Sequence, residues 1–120
     1  MDEMDEMEEA MKLVKCIVRP DKVDDTTDAL KQIDVSGVTV TGVGGRGRRA
    51  PPKGVYRCCE YDVRYLPQMM IDVLVADCVV DDVVRIVMET ARTGKQGDGR
   101  VFVIPVEEAY TIRTRAGGPD

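Results

Sequence analysis

The alternation of apolar and polar residues divides most of the chain into strands and helices. Stretches rich in Val and Ile alternate at the strand period, and two other stretches repeat at the helical period. Helices are predicted over Asp21–Ile33, with Asp21 as candidate N-cap, and over Val79–Thr90. Strands are predicted over Lys12–Arg19, Val38–Val43, Tyr56–Tyr65, Met69–Ala76 and Arg100–Val106, and a turn with a short strand over Glu107–Arg113.

The order of these elements is β-α-β-β-α-β, with a long loop between the halves. It is typical of the α+β ferredoxin-like split β-α-β fold, an antiparallel sheet with two helices on one face. The sheet face without helices needs a cover. Val, Thr and Met occupy alternate positions facing both sides, so we expect oligomerisation to supply that cover.

Length and composition narrow the function classes. The 120 residues fit one domain, and no apolar run approaches the roughly 20 residues of a membrane span. The acidic start does not resemble a secretory signal, so a cytoplasmic location without membrane insertion is expected. The chain has no histidine, which removes the His-activated nucleophiles and His-containing metal sites. We therefore expect a non-enzymatic protein without a protein-held metal.

The net charge of -5 comes from one end of the chain. Residues 1–10 hold six acids and no base, whereas the rest holds 16 acids and 17 bases. Residues 1–10 are interpreted as a disordered acidic extension, 11–114 as the folded domain and 115–120 as a tail. An alternative is that the extension repels or attracts a partner.

The four cysteines do not form a recognisable metal or disulfide pattern. There is no C-x-x-C pair, and Cys16 and Cys78 stand among apolar residues, so both are predicted to be small core residues. Cys58 and Cys59 are adjacent. A strained vicinal disulfide is one possible interpretation of them, and incidental thiols are the other.

Two glycine-rich loops are the candidate functional segments. In Gly44–Gly54, the G-x-G-x-x-A match is rejected as a dinucleotide fingerprint, because Pro51 and Pro52 follow where a helix should begin. In Thr93–Arg100, three glycines in six residues let successive N–H groups approach an anion. Arg100, Lys95 and Arg113 of the last short strand add positive charge, which suits a triphosphate. The alternative is an ordinary turn with solvated bases.

Residues 11–114 resemble the PII signal-transduction proteins of nitrogen control. The strongest match runs from Thr93 through Gly97-Asp98-Gly99-Arg100 to Val101-Phe102-Val103. Val18-Arg19-Pro20, Gly45-x-Gly47-Arg48 and Ile112-Arg113-Thr114 agree as well. The second family signature is only partly kept, as Tyr56-Arg57-Cys58-Cys59-Glu60-Tyr61.

The resemblance implies a homotrimer that binds ATP or ADP in clefts between subunits and docks on a target through a projecting loop, residues 45–64. Arg100, Arg113 and the neighbouring subunit's copy of Arg48 would hold phosphates, and Thr39 and Leu74 would lie at the adenine. The full expected nucleotide set is Thr39, Gly45, Gly47, Arg48, Leu74, Gly97, Asp98, Gly99, Arg100 and Arg113.

The projecting loop is expected to carry the partner contacts. Tyr61 aligns with a tyrosine that some bacterial relatives carry as a nucleotidylated switch, and a structural or partner-contacting role is the alternative. An acidic cavity on a protein suits the bases of the loop better than nucleic acid does. The expected partners are an ammonium transporter, glutamine synthetase or nitrogenase, through Arg49, Lys53, Tyr56, Arg57 and Tyr61.

Three positions depart from the family pattern, and two of the three losses weaken its Mg²⁺ and 2-oxoglutarate site directly. Arg49 stands where a glutamine helps to hold the metal, Gln68 replaces a lysine, and Thr111 replaces an arginine. Two alternatives follow. The chain could be a PII-like sensor of another small anion, such as bicarbonate, with adenine nucleotide as co-ligand. It could also belong to a nitrogenase-linked branch, which Pro105–Thr114 resembles.

Overall fold

The computed structural model describes residues 10–33, 35, 37–45, 53–56, 59–62, 66–115 and 117, with only the backbone for 53–56 and 59–62. The elements follow the order β1 (Met11–Val18), α1 (Val23–Leu30), β2 (Thr39–Gly45), β3 (Lys53–Tyr56), β4 (Cys59–Asp62), β5 (Leu66–Ala76), α2 (Val80–Ala91) and β6 (Gly99–Val106). Short 3₁₀ turns, Pro20–Lys22 and Asp77–Val79, lead into the two helices.

Four strands form one antiparallel sheet in the order β2-β5-β1-β6. The two halves of the chain interleave in this order, which is the ferredoxin-like arrangement of two split β-α-β units. The predicted fold class is confirmed. Strands β3 and β4 form a separate antiparallel pair that shares no ladder with the main sheet.

The core lies between the two helices and one face of the sheet. Alternate residues of β1 and β5 point to this face, because side chains in a strand alternate between its two faces. The helices supply residues three or four positions apart, as the sequence predicts. The apolar side chains here that are less than 2% exposed are Val14, Cys16, Val18, Leu30, Ile71, Val73, Val83 and Val87. Each contributes roughly 1.5–3 kcal/mol by burial, Cys16 less.

The other face of the sheet carries the opposite set of side chains. Leu13, Leu74 and Ile104 are aligned across β1, β5 and β6 in one row. The next row contains Phe102, Lys15 and Asp72. Ile104 and Phe102 are 37% and 40% exposed. This side of the sheet is called the open face below, since no element of the described chain packs on it.

Several element boundaries differ from the prediction. Asp21 is not a helix cap: it lies in the 3₁₀ turn, and Lys22 occupies the N-cap of α1 without a side-chain bond. Helix α1 ends at Leu30 and continues only as a tight turn to Ile33. Strand β5 begins at Leu66 and includes Pro67, which pairs with Gly44 beyond the end of the β1 ladder, so the missing N–H removes no bond to β1.

Two further corrections concern segments predicted as single strands. Tyr56–Tyr65 was expected to be one strand preceded by a loop, but β3 and β4 form a hairpin in which Tyr56 pairs with Cys59. Glu107–Arg113 was expected to include a short strand, but it holds only an isolated bridge from Tyr110 to Gly117. A helix long and apolar enough to cross a membrane does not occur in the described residues.

The two cysteines whose side chains the structure describes have opposite environments. Cys16 is fully buried, and burial, assisted by the charge of Asp72, raises the pKa of its thiol to about 12. Cys78 is exposed in the 3₁₀ turn before α2, so its prediction as a core residue is wrong. A 3₁₀ turn has three residues per turn, and Cys78 therefore does not share the buried face of Val80 and Val83.

A thiol-labelling experiment is expected to separate Cys16 from Cys78. In a chain carrying Cys58→Ser and Cys59→Ser, a maleimide at pH 7 should modify one thiol in the native state and two in denaturant. The reason is that thiolate is the reactive form and Cys16 stays protonated and covered. Rapid native labelling of both thiols, measured by mass spectrometry, would contradict this assignment.

The contribution of Cys16 to the free energy of unfolding should be constant below pH 9.0 and should fall as the pH rises toward 12.

Candidate functional site

The loop between α2 and β6 is built around three glycines in the left-handed region. Gly94, Gly97 and Gly99 have φ values of 87°, 94° and 109°, which other L-residues rarely adopt. Gly99 also approaches β1 closely: a Cβ there would lie 1.6 Å from the Ile17 carbonyl oxygen. The sequence therefore specifies glycine for backbone shape at this loop, as its spacing indicated.

The carboxylate of Asp98 is the internal acceptor of the loop. Its Oδ2 accepts the N–H groups of Thr93 and Gly94, each at 2.8 Å. Its Oδ1 accepts the Thr93 hydroxyl and the Nε of Arg19, the latter at 2.9 Å. The Thr93 hydroxyl bond is the largest cause that holds the pKa of Asp98 far below its usual range, and the Arg19 and backbone bonds add to it. Asp98 is thus ionised and occupied by donors of its own chain.

The rest of the loop presents unoccupied donors. Within the described residues, no acceptor is found for the backbone N–H groups of Gln96 and Gly97. Lys95 and Arg100 are exposed and form no ion pair with the described part of the chain. Unpaired N–H groups and two free cations make this loop suited to a phosphate-like anion.

An open cavity of about 200 Å³ adjoins the loop. Its walls come from the end of β1, the last turns of α2 and the start of β6. Most of the lining is aliphatic, and it also includes Arg92 and Arg100. The lining residues are Ile17, Val18, Val87, Met88, Ala91, Arg92, Asp98, Gly99, Arg100 and Val101. The arrangement combines an apolar pocket with cations, which fits a ligand that is partly apolar and partly anionic.

The other predicted nucleotide residues lie elsewhere in the subunit. Thr39 and Gly45 are the ends of β2, the sheet edge opposite β6. Three strand spacings of about 4.8 Å separate the two edges. Leu74 lies between them, half-buried on the open face. One subunit therefore groups Gly97, Asp98, Gly99 and Arg100 but does not bring Thr39 or Gly45 to them.

Arg113 is not on a strand, which corrects the prediction. It is exposed in a turn over residues 112–114, closed by the Arg115 N–H donating to the Thr111 carbonyl at 2.7 Å. Ile112 is 95% exposed beside it. Nearby, the Tyr110 hydroxyl donates to Glu108 at 2.7 Å, and that bond raises the pKa of Tyr110. Arg113 is not among the residues that line the cavity in this chain.

The expected partner segment is described only in part. Lys53 and Tyr56 fall in β3 and Tyr61 falls in β4, where the structure describes the backbone. Gly47, Arg48, Arg49, Arg57 and Cys58 lie outside the described residues. Of the three positions that depart from the family pattern, Gln68 and Thr111 are described. The side-chain oxygen of Gln68 lies over Gly45, so close that a Cβ on Gly45 would be 1.8 Å from it. Thr111 is half-buried at the start of the C-terminal turn.

No group of three metal-ligating side chains occurs in the part of the chain that the structure describes. Asp98 is the one carboxylate of the Thr93–Arg100 loop, and both of its oxygens already accept hydrogen bonds from the protein.

Arg19 and Thr93 are site residues that the sequence interpretation did not place in the nucleotide set. Arg19 donates to Asp98 and, through Nη2, to the Gln96 carbonyl at 2.8 Å. Asp98 itself was one available signal. It is the one acid in a loop of hydrogen-bond donors suited to an anion, so its carboxylate needs hydrogen-bond donors from elsewhere in the protein.

The described chain is a small α+β domain with a candidate anion site in the loop before β6, at one edge of the sheet. A family model described as nitrogen regulatory protein P-II matches residues 11–116. Nitrogen regulatory protein GlnK of Escherichia coli is 45% identical over 104 residues, 87% of this chain and 93% of that protein. Nitrogen regulatory protein P-II of Haemophilus influenzae is 43% identical over the same coverage. That of Azospirillum brasilense is 39% identical over 110 residues, 92% of this chain and 98% of that protein.

The chain belongs to the PII family of nitrogen regulatory proteins. The family assignment from the Thr93–Val103 motif is confirmed. These relatives carry the names of regulatory proteins, and the match extends over almost the whole of each.

Proposed function

We propose that this protein is a nitrogen-regulatory signal transducer that binds ATP or ADP and reports the bound nucleotide to a partner protein. The observation that carries the proposal is the Thr93–Arg100 loop, with unoccupied N–H groups at Gln96 and Gly97 and a free Arg100. Gly97, Gly99 and Arg100 would hold phosphates. The adjoining aliphatic cavity is suited to the less polar part of a nucleotide.

We place the complete nucleotide site between subunits. Thr39 and Gly45 lie at the β2 edge of the sheet, and the glycine loop lies at the β6 edge. An assembly that sets the β2 edge of one chain beside the β6 edge of the next would unite them. The open face supports such an assembly, since Ile104 and Phe102 are exposed on it and the half-buried Leu13 and Leu74 continue the apolar surface. A homotrimer is the proposed assembly, with Arg48 and Arg113 brought to the phosphates in it.

The output of the proposed regulator is residues 45–64. Phosphate contacts would bias the order of this segment and thereby its affinity for a partner, which requires only that ATP and ADP contact its two states differently. Arg49, Lys53, Tyr56, Arg57 and Tyr61 would carry the contacts. The excess of bases in the segment suits an acidic cavity on an ammonium transporter, glutamine synthetase or nitrogenase.

Calorimetric titration tests the nucleotide proposal. ATP with Mg²⁺, and ADP, should each bind with a stoichiometry of up to one per chain and should compete with one another. Arg100→Ala should weaken both by about 10- to 100-fold, because a charged hydrogen bond contributes about 1.5–3 kcal/mol.

Arg85→Ala is the matched control, since Arg85 is exposed on α2 and pairs only with Asp82 and Glu89 of its own helix among the described residues. It removes the same charge and should leave the affinity unchanged. Absence of ATP and ADP binding in the unmodified chain would refute nucleotide sensing.

The position of Gln68 favours a second candidate, a PII-like sensor of another small anion with adenine nucleotide as co-ligand. Gln68 stands where the family pattern has a lysine, and its neutral amide lies over Gly45 at the end of β2. A neutral amide attracts a dicarboxylate less than an ammonium group does. Repeating the ATP titration with 2-oxoglutarate separates the candidates: tighter ATP binding supports nitrogen sensing, and an unchanged affinity supports the second candidate.

A further inference from the structure

The side chain of Arg19 crosses from the end of β1 to the glycine loop, 79 residues further along the chain. Its Nε donates to Asp98 Oδ1 at 2.9 Å, and its Nη2 donates to the Gln96 carbonyl at 2.8 Å. The side chains of Arg19 and Asp98 are 19% and 23% exposed, so this ion pair is partly buried. One guanidinium therefore holds the loop at two points, one side chain and one peptide group.

The bond to the Gln96 carbonyl fixes the direction of the next N–H group. The peptide bond is planar and trans, so the C=O of Gln96 and the N–H of Gly97 point in opposite directions. Because Arg19 holds the C=O, the N–H of Gly97 must point away from Arg19. This N–H group has no acceptor among the described residues.

The bond to Asp98 restrains the one negative charge of the loop. Thr93 and Gly94 hold the carboxylate from one side, and Arg19 completes the set of donors on Oδ1. Without Arg19, Asp98 would keep its charge while losing its cation, close to the donors that face an anion. Both effects act on the affinity for phosphate without any contact between Arg19 and the phosphate.

We infer that Arg19 is a positioning residue of the Thr93–Arg100 loop: it orients the Gln96–Gly97 peptide so that the Gly97 N–H faces the bound anion, and it keeps Asp98 turned into the loop. This inference rests on the proposed nucleotide-binding function. Arg19 acts through Gln96 and Asp98 and does not itself hold the nucleotide.

The test compares ATP, ADP and inorganic triphosphate binding in the full chain and in three variants. Arg19→Ala should weaken all three ligands by about 10- to 100-fold. Arg19→Lys should recover less than half of the lost binding energy, because an ammonium group lacks the fork that reaches both acceptors. Lys12→Ala should bind as the unmodified chain does, since Lys12 also bridges from β1 to a distant acid, Asp77, but not to the loop.

Two readouts separate positioning from a general loss of structure. The urea midpoint and the oligomeric state of Arg19→Ala should stay close to those of the unmodified chain, and the amide resonance of Gly97 should shift. The double variant Arg19→Ala with Asp98→Asn should remain weak, because removing the acid does not reorient the Gln96–Gly97 peptide.

The inference is overturned if Arg19→Ala binds ATP as the unmodified chain does, or if Arg19→Lys restores binding in full. It is also overturned if binding is lost only together with the fold, in which case Arg19 is merely structural. An unmodified chain that binds no nucleotide refutes the proposed function instead, so the two failures are distinguishable.

Discussion

Gly99→Ala should abolish measurable ATP binding and lower the free energy of unfolding by about 2–4 kcal/mol. The added methyl group would lie 1.6 Å from the Ile17 carbonyl oxygen and 2.7 Å from its carbon. Those atoms belong to β1, which pairs with strands on both sides and cannot retreat. The φ of 109° at Gly99 is also unfavourable for alanine. Urea unfolding and calorimetric titration with ATP measure the two effects.

Gly42→Ala and Gly94→Ala are compared with Gly99→Ala, and the three variants should differ in how much stability they lose. A Cβ at Gly42 would meet only the Met69 sulfur at 3.9 Å, so its stability should change by less than about 1 kcal/mol. A Cβ at Gly94 would meet only the Arg92 guanidinium, at 3.8 Å, but Gly94 has a φ of 87°, so alanine there should cost about 1–2 kcal/mol of backbone strain. Equal unfolding midpoints for all three variants would show that the close approach of β6 to β1 does not constrain the loop.

The sheet and the glycine loop were predictable because both depend on local pattern. Alternating Val and Ile residues mark β1 and β5 at the strand period, and the buried positions follow that period. Three glycines within six residues predicted an unusual backbone, and all three have positive φ values. The local sequence is enough to predict the conformation of a segment when that conformation depends mainly on the segment's own residues.

The hairpin and the environment of Cys78 were missed because their local signals are weak. No Asn-Gly or similar turn pair separates Tyr56 from Cys59, so uninterrupted alternation indicated one strand. Cys78 lies in the sequence between the apolar stretches Val73–Ala76 and Val79–Val80, with Asp77 directly before it, yet in the 3₁₀ turn it is exposed. Composition alone does not determine which way a turn residue points.

The function of Asp98 within its loop was missed for a different reason. Its motif position suggested a ligand residue, whereas the structure gives its oxygens to Thr93, Gly94 and Arg19. The Arg19 contact depends on the packing of β1 beside β6, which is known only once the sheet order is known. The same holds for the separation of Thr39 from Arg100, because strand order and not spacing places them at opposite edges.

The largest effect on assembly is expected from Ile104→Asp. Ile104 lies on the open face in an apolar row with Leu13 and Leu74, and a carboxylate there has no cation in its row. Burying it between chains should cost at least about 4 kcal/mol per chain, from lost apolar contact and from desolvation of the charge. Light scattering at micromolar concentration should show the mass of one chain in place of three. ATP binding should disappear with the assembly, because in the proposed trimer the β2 and β6 edges are brought together only between chains.

Val103→Asp is the control for this result. Val103 neighbours Ile104 on β6 and is 43% exposed, but it points to the opposite side of the sheet. It introduces the same charge at similar exposure, so it should leave the assembly and ATP affinity intact. Urea unfolding of both variants shows whether each chain still folds. If Ile104→Asp remains trimeric, the open face is not the interface. If it is monomeric and still binds ATP, the site is complete within one chain and the inter-subunit arrangement is wrong.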